Sequence, residues 1–235
     1  MALPKMSVPR YKVTLPSTGE KLNMRPYLVK EEKVLMVALE SQDPEQITSA
    51  VKNIIATCYN IDSMDNLTVF DIEMLFLQLR AKSVGERMEV QIKCTDCEKM
   101  NPISIDIDEI KVSNQDLDRT ILLEKENGVG VTMKYPSLEL IGGITPEKFN
   151  SIEGVMDLIV DCIESIFDDD NVYNLNNESR EEVVNFIESL NTQQFKKIQA
   201  FFQDSPAVAY ETSKNCVHCG ESQEIKLRGL NSFFS

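Results

Sequence analysis

Four of the six cysteines stand in C-x-x-C pairs, Cys94/Cys97 and Cys216/Cys219. Two residues between thiols let one tight turn present both sulfurs to the same ion, and four thiolates around one centre suit tetrahedral Zn²⁺. Gly220 follows the second pair, at a place where backbone freedom lets the chain fold back toward sulfur. With all four ligands supplied by the protein, such a site has no open coordination position and is structural. Other chemistries compete for these thiols. A thioredoxin-type redox pair needs a helix starting at the motif to lower a thiol pKa, whereas β-type residues follow both pairs here. Disulfides need an oxidising compartment, and the opening MALPKMSVPRYK has no apolar export segment. Ligation through His218 in place of Cys216 or Cys219 is a further variant, although an imidazole inside a two-residue gap more often points away. The pattern favours zinc, with Cys94, Cys97, Cys216 and Cys219 as ligands. The remaining pair, Cys58 and Cys162, falls on apolar helix faces, where buried structural thiols belong.

Other chemistries fare worse. His218 is the one histidine, so any Ser-His-Asp or Cys-His arrangement would have to be built on it, between two metal-type cysteines. There is no G-x-x-x-x-G-K-[ST] and no G-x-G-x-x-G, and Gly142-Gly143 reads as a turn. Asp168-Asp169-Asp170 does not open a calcium loop. Counted from Asp168, the places for an oxygen ligand, a glycine and a bidentate glutamate hold Val172, Tyr173 and Ser179. The run reads as a solvated acidic helix end. No catalytic residues are assigned, and the expectation is a protein that is not an enzyme.

The cysteine turns need strands to hold them. Met88, Val90 and Ile92 alternate with polar residues before Cys94, and Ile103, Ile105 and Ile107 alternate after Cys97, which predicts strand, turn, strand. Around Cys216/Cys219 the runs Ala207–Tyr210 and Gln223–Leu227 have the same character. The pairs are far apart, at 216 − 97 = 119 residues, so a zinc ribbon built from them must be split by a large insertion. Upstream, Tyr11–Leu15 and Lys21–Arg25 flank Pro-Ser-Thr-Gly as a β-hairpin. Glu31–Glu40 is apolar nearly all round, the pattern of a buried helix. Asp43-Pro44 starts a second helix with Ile47, Ala50, Val51, Ile54, Ile55 and Cys58 on one face, and Leu67–Lys82 is a third. Strand candidates follow at Thr120–Glu124 and Val129–Tyr135. Thr145-Pro146-Glu147 opens a helix whose inner face runs from Ile152 through Ile159, Cys162 and Ile163 to Ile166. Its outer face carries Asp157, Asp161 and Glu164, read as solvated acids. Ser179-x-x-Glu182 caps a helix to Leu190, and Asn191 starts a last one with Phe195, Ile198 and Phe202 inward.

These elements predict an α+β protein: mostly helical modules around a small β element with a split zinc ribbon and an N-terminal β-hairpin. The expected divisions are 1–30 (hairpin), 31–84 (helical module) and 85–136 (first half of the ribbon and adjoining strands). Residues 137–206 are expected to be a helical insertion, and 207–235 the second half of the ribbon and the tail. Leu227, Leu230, Phe233 and Phe234 would form an apolar stripe if helical, making Leu230, Phe233 and Phe234 candidates for docking a partner. The alternative is a tail that folds back on its own core.

The balance of 24 basic and 38 acidic residues gives −14, which disfavours contact with nucleic acid. No apolar run approaches a membrane span.

The stretch Asn23-Met-Arg-Pro-Tyr-Leu-Val-Lys-Glu-Glu-Lys-Val-Leu-Met-Val-Ala-Leu-Glu-Ser41 resembles the opening of a family of T-even-type bacteriophage baseplate proteins, the hub-assembly proteins of contractile tails. The similarity continues through Asp65–Ser83, Lys93-Cys-Thr-Asp-Cys97, the second cysteine turn and Leu230-Asn-Ser-Phe-Phe234. It implies a non-catalytic role in building the baseplate hub around the central spike, as a component or a chaperone-like assembly factor. The implied partners are other hub, spike or assembly proteins, in the infected host cytoplasm or in the virion tail baseplate. The rival reading is a phage-encoded zinc-ribbon adaptor acting on a host protein complex.

Overall fold

The computed structural model describes residues 6–142, 151–175 and 178–233. Two compact units divide the chain: residues 1–115 with 207–235, and residues 116–206 between them. Charge divides unevenly. The first unit holds 17 Lys and Arg against 20 Asp and Glu (−3), the second 7 against 18 (−11).

The N-terminal hairpin forms where its alternation and turn demand it: β1 (Tyr11–Thr14) pairs antiparallel with β2 (Lys21–Met24), Tyr11 opposite Met24. Helix α1 (Val29–Ser41) starts earlier than its apolar pattern suggests. The cause is Glu31, whose carboxylate accepts the Leu28 N–H at 2.7 Å and the Arg25 guanidinium at 3.0 Å, satisfying an N-terminal donor. Burial raises the Glu31 pKa but the bonds to Arg25 and Leu28 outweigh it, so the carboxyl lies below its ordinary value. A depressed folded-state pKa means that this contribution is present at neutral pH and disappears as pH falls below about 4.5, the ordinary glutamate range. Glu31→Gln should cost about 1–2 kcal/mol at pH 7. In chemical denaturation the difference from the parent protein should shrink steadily as pH falls below about 4.5.

Helix α2 (Pro44–Tyr59) begins at its Asp43 cap, Oδ1 accepting the Glu45 N–H at 2.9 Å. Helix α3 (Val69–Ser83) is fixed by Thr68 and Asp71. Asp71 is fully buried and accepts from Thr68 N and Oγ1 and from Ser17 N at 2.9 Å, tying the hairpin turn to the helix start. Strands β3 (Arg87–Lys93) and β4 (Met100–Asp106) form a second hairpin, and the short β5 (Lys111–Val112) ends this part of the first unit.

The second unit carries β6 (Thr120–Leu122), β7 (Gly130–Met133), α4 (Leu138–Gly142), α5 (Ile152–Asp161), β8 (Ile163–Phe167), β9 (Val172–Asn174), α6 (Arg180–Glu188) and α7 (Thr192–Asp204). Its sheet runs β6-β7-β8-β9, all antiparallel. Gly130 is required there, because a Cβ would meet the Phe167 ring and the Ile121 carbonyl. Of the strands grouped by sequence with the first ribbon half, 85–136, β6 and β7 therefore belong to the inserted unit, which begins near residue 116, with β7 paired to β8.

The helix expected to run through Ile166 stops at Asp161. Ile163, Ser165, Ile166 and Phe167 also fit a strand, and pairing with β7 and β9 decides between the two periods. Asp168-Asp169-Asp170 is accordingly a hairpin turn rather than a helix end. Asp168 Oδ1 accepts the Asp170 and Asn171 N–H groups at 2.9 and 2.7 Å. Nor do the outer acids merely face solvent: Arg180 bridges Asp157 (2.8 Å) and Asp161, and Arg119 meets Glu164 at 3.2 Å. The expected start at Thr145-Pro146-Glu147, and Gly143 of the expected turn, lie outside the described residues. The unit's core gathers Val131, Met133, Ile159, Cys162, Ile187, Ile198 and Phe201, with Phe201 stacked on Tyr135.

The chain returns to the first unit as β10 (Val208–Asn215) and β11 (Ser222–Arg228), with β10 also pairing to β5. Inward residues of these hairpins (Met88, Val90, Ile103, Ile105, Tyr210 and Ile225) share one core with Leu77 of α3 and Phe233. Leu230–Phe233 is a 3₁₀ turn rather than the α-helix that an apolar stripe would need. Phe233, offered by sequence as a docking residue, is 2% exposed in that core, and Phe234 lies outside the described residues.

Candidate metal centre

Both cysteine pairs occupy hairpin tips, and the two tips share one geometry. Lys93 pairs with Met100 at the end of β3–β4, and Asn215 with Ser222 at the end of β10–β11. In the first tip the Cys94 N–H donates to the Lys99 carbonyl at 2.9 Å and the Glu98 N–H to the Cys94 carbonyl at 3.1 Å. In the second, the Cys216 N–H donates to Glu221 and the Gly220 N–H to Cys216, both at 2.9 Å. Fold-back requires positive φ four residues after the first cysteine, and Gly220 (78°) and Glu98 (58°) supply it. Glycine does so without steric penalty, whereas glutamate is strained there.

The tips meet. Cys94 Sγ lies 3.7 Å from Cys219 Sγ, and Cys97 Sγ 3.7 Å from Cys216 Sγ. All four sulfurs fall within 4.8 Å of one another. A disulfide would bring two sulfurs to about 2 Å, so the cysteines are free thiols. Four thiolates at about 2.3 Å from a central ion in a tetrahedron stand roughly 3.8 Å apart, close to the separations found. The donor set and its spacing therefore fit a thiolate-bound metal ion, with the protein filling every corner.

Local electrostatics prepare two of the thiols. The Cys97 backbone N–H, foremost, pulls Cys94 down to about 6, and the Cys219 and His218 N–H groups lower Cys216. Backbone donors at Lys99 and Glu221 pull the same way on Cys97 and Cys219, but desolvation and the crowded neighbouring sulfurs prevail and raise both, Cys219 to about 12. Four sulfurs this close resist becoming four anions without a cation between them.

His218 is turned outward, its Nε2 3.1 Å from the Met100 carbonyl, and is not part of the sulfur cluster. Two residues outside the sequence assignment complete the site. Asn101 and Gln223 are both buried, and each stands seven positions after the first cysteine of its pair. They act crosswise. Asn101 of the first hairpin accepts the Val217 N–H of the second tip at 3.0 Å, while Gln223 of the second donates from Nε2 to Cys94 Sγ of the first. A buried amide on an otherwise apolar strand face was the available signal, visible once the two tips are aligned. Such supporting bonds orient ligands and tune metal affinity. Gln223→Leu should lower metal affinity by about 10- to 100-fold in a chelator competition titration, with the hairpins still folded.

Cys58 and Cys162 are buried elsewhere, 3% and 0% exposed. Burial pushes their thiols up to about 11 and about 12, which makes them inert.

Fold and site together define an α+β protein in which a four-thiol cluster joins two hairpins that flank residues 116–206 in the sequence. A family model described as T4 bacteriophage base plate protein matches residues 8–235. The chain belongs to that family, which assigns it a structural or assembly role in the phage baseplate, among phage protein partners. No curated protein and no solved structure is significantly similar to it. Among the described residues no helix is long and apolar enough to cross a membrane.

Proposed function

We propose that the chain is a baseplate hub component or hub-assembly factor, working by binding other tail proteins and not by catalysis. Its four cysteines hold a structural Zn²⁺. The observation that carries this reading is the family match across residues 8–235. The sulfur cluster supports it, because a fully protein-ligated metal serves to staple the chain rather than to activate water or substrate. The sole histidine is held against the Met100 carbonyl, a poor position for a general base. Zinc follows from four thiolate donors at tetrahedral spacing.

Affinity capture of the tagged protein from phage-infected cells, compared with its presence in purified particles, tests the role. Recovery with hub and spike proteins and also in particles means a structural hub subunit. The same recovery with absence from particles means an assembly factor acting in the host cytoplasm. Capture of host proteins alone overturns the baseplate reading and favours the adaptor.

A further inference from the structure

Helix α1 has the sequence of a buried helix and the exposure of a surface one. Val29 is 80% exposed, Val34 52%, Met36 55%, Val37 56% and Leu39 47%. Only Glu31 and Ala38 of its thirteen residues are buried. Single exposed apolar side chains elsewhere are ordinary, but Val29, Met36 and Val37 share one stripe of the helix with Val34 and Leu39 at its two flanks, an exposed apolar patch of the kind that marks an interaction site.

The charges on that face say what covers it. On its central stripe the face bears Lys33 in the N-terminal half and Glu40 in the C-terminal half, while Lys30 is already paired with Glu31 at 3.3 Å. Val29, Lys33, Met36, Val37 and Glu40 follow helical spacing along one stripe. When a second α1 is laid against it antiparallel about a two-fold axis between Met36 and Val37, each Met36 meets a Val37 and each Lys33 meets a Glu40. The centre of the face, Lys33, Met36, Val37 and Glu40, is thus self-complementary in apolar contact and in charge, as an isologous interface must be.

We propose that α1 is a homodimer interface, occupied by the α1 of a second copy in antiparallel register. This inference is independent of the hub reading. A helix of thirteen residues is about 20 Å long, which gives less contact than the roughly 800 Å² per partner of a standard stable interface. The dimer is therefore weak and concentration-dependent.

The test is sedimentation equilibrium of the full chain over about 1–200 µM, a range suited to an interface of this size. The mass should rise from 26.7 kDa toward twice that value. Lys33→Glu and Glu40→Lys each reverse two symmetry-related pairs and should weaken the dimer by about tenfold. The double variant should restore it. Within one helix the two residues are seven positions apart, about 10 Å, so rescue reports the contact between copies. Both side chains are exposed, and unchanged circular dichroism should accompany each variant. A monomer at every concentration overturns the proposal. So does a dimer indifferent to the single changes or not rescued by the double one. So, too, does a monomer whose α1 face is covered by another baseplate protein.

Discussion

Treating the purified protein with a high-affinity chelator should release about one zinc per chain and lower the melting temperature of the first unit by at least about 10 °C. The magnitude follows from what the cluster joins. Residues 94–97 and 216–219 are held by separate hairpins, in separate sheets, and a metal ion held there would add binding free energy that the unfolded chain lacks. Without the ion, thiolates within 4.8 Å repel or must take up protons. Elemental analysis and differential scanning calorimetry read the two parts of the prediction. Cys94→Ser should reproduce the thermal shift without chelator. Thiol titration supplies a third readout. Cys58 and Cys162 are buried away from the cluster and stay protected in both states, so chelation should add about four reactive thiols. Protein free of metal, with a melting temperature indifferent to chelator, would remove zinc from the reading.

The cluster was legible because C-x-x-C is a local pattern, and the alternating strands around it are local too. Its supporting shell was only partly so. Asn101 and Gln223 stand at the same offset from their cysteines, yet nothing short of bringing the two tips together shows that each reaches the opposite one. The residues from Cys162 to Asp170 misled for a different reason. Ile159, Cys162, Ile163 and Ile166 satisfy a helical period, while Ile163–Phe167 equally satisfies a strand, and the partner strands that decide are some thirty residues upstream and a few downstream. Helix α1 shows a third limit. An apolar helix states that it is to be covered but not by what, and the described residues leave Val34, Met36 and Val37 exposed.

The tail poses the same question with the opposite answer, and Phe233 is where it can be measured. An apolar C-terminal segment can dock a partner or close its own core, and both uses place Leu and Phe at similar offsets. The structure puts Phe233 among Leu77, Ile105, Ile107, Val208 and Ile225. The turn is locked by Ser232, whose N–H donates to the Gly229 carbonyl at 3.1 Å and whose hydroxyl donates to Arg228 at 2.6 Å. Gly229 makes the entry possible at φ 75°, a conformation that a side chain would strain. Phe233→Ala should therefore destabilise the first unit by about 3–5 kcal/mol, the cost of a lost aromatic and the cavity left behind. Phe233→Leu, which keeps most of the volume, should cost less than half as much. A tail serving only to dock a partner would leave urea denaturation unchanged in both variants and lose partner capture instead. The core role predicts the reverse order: the midpoint falls first, and capture is lost only as a consequence of unfolding.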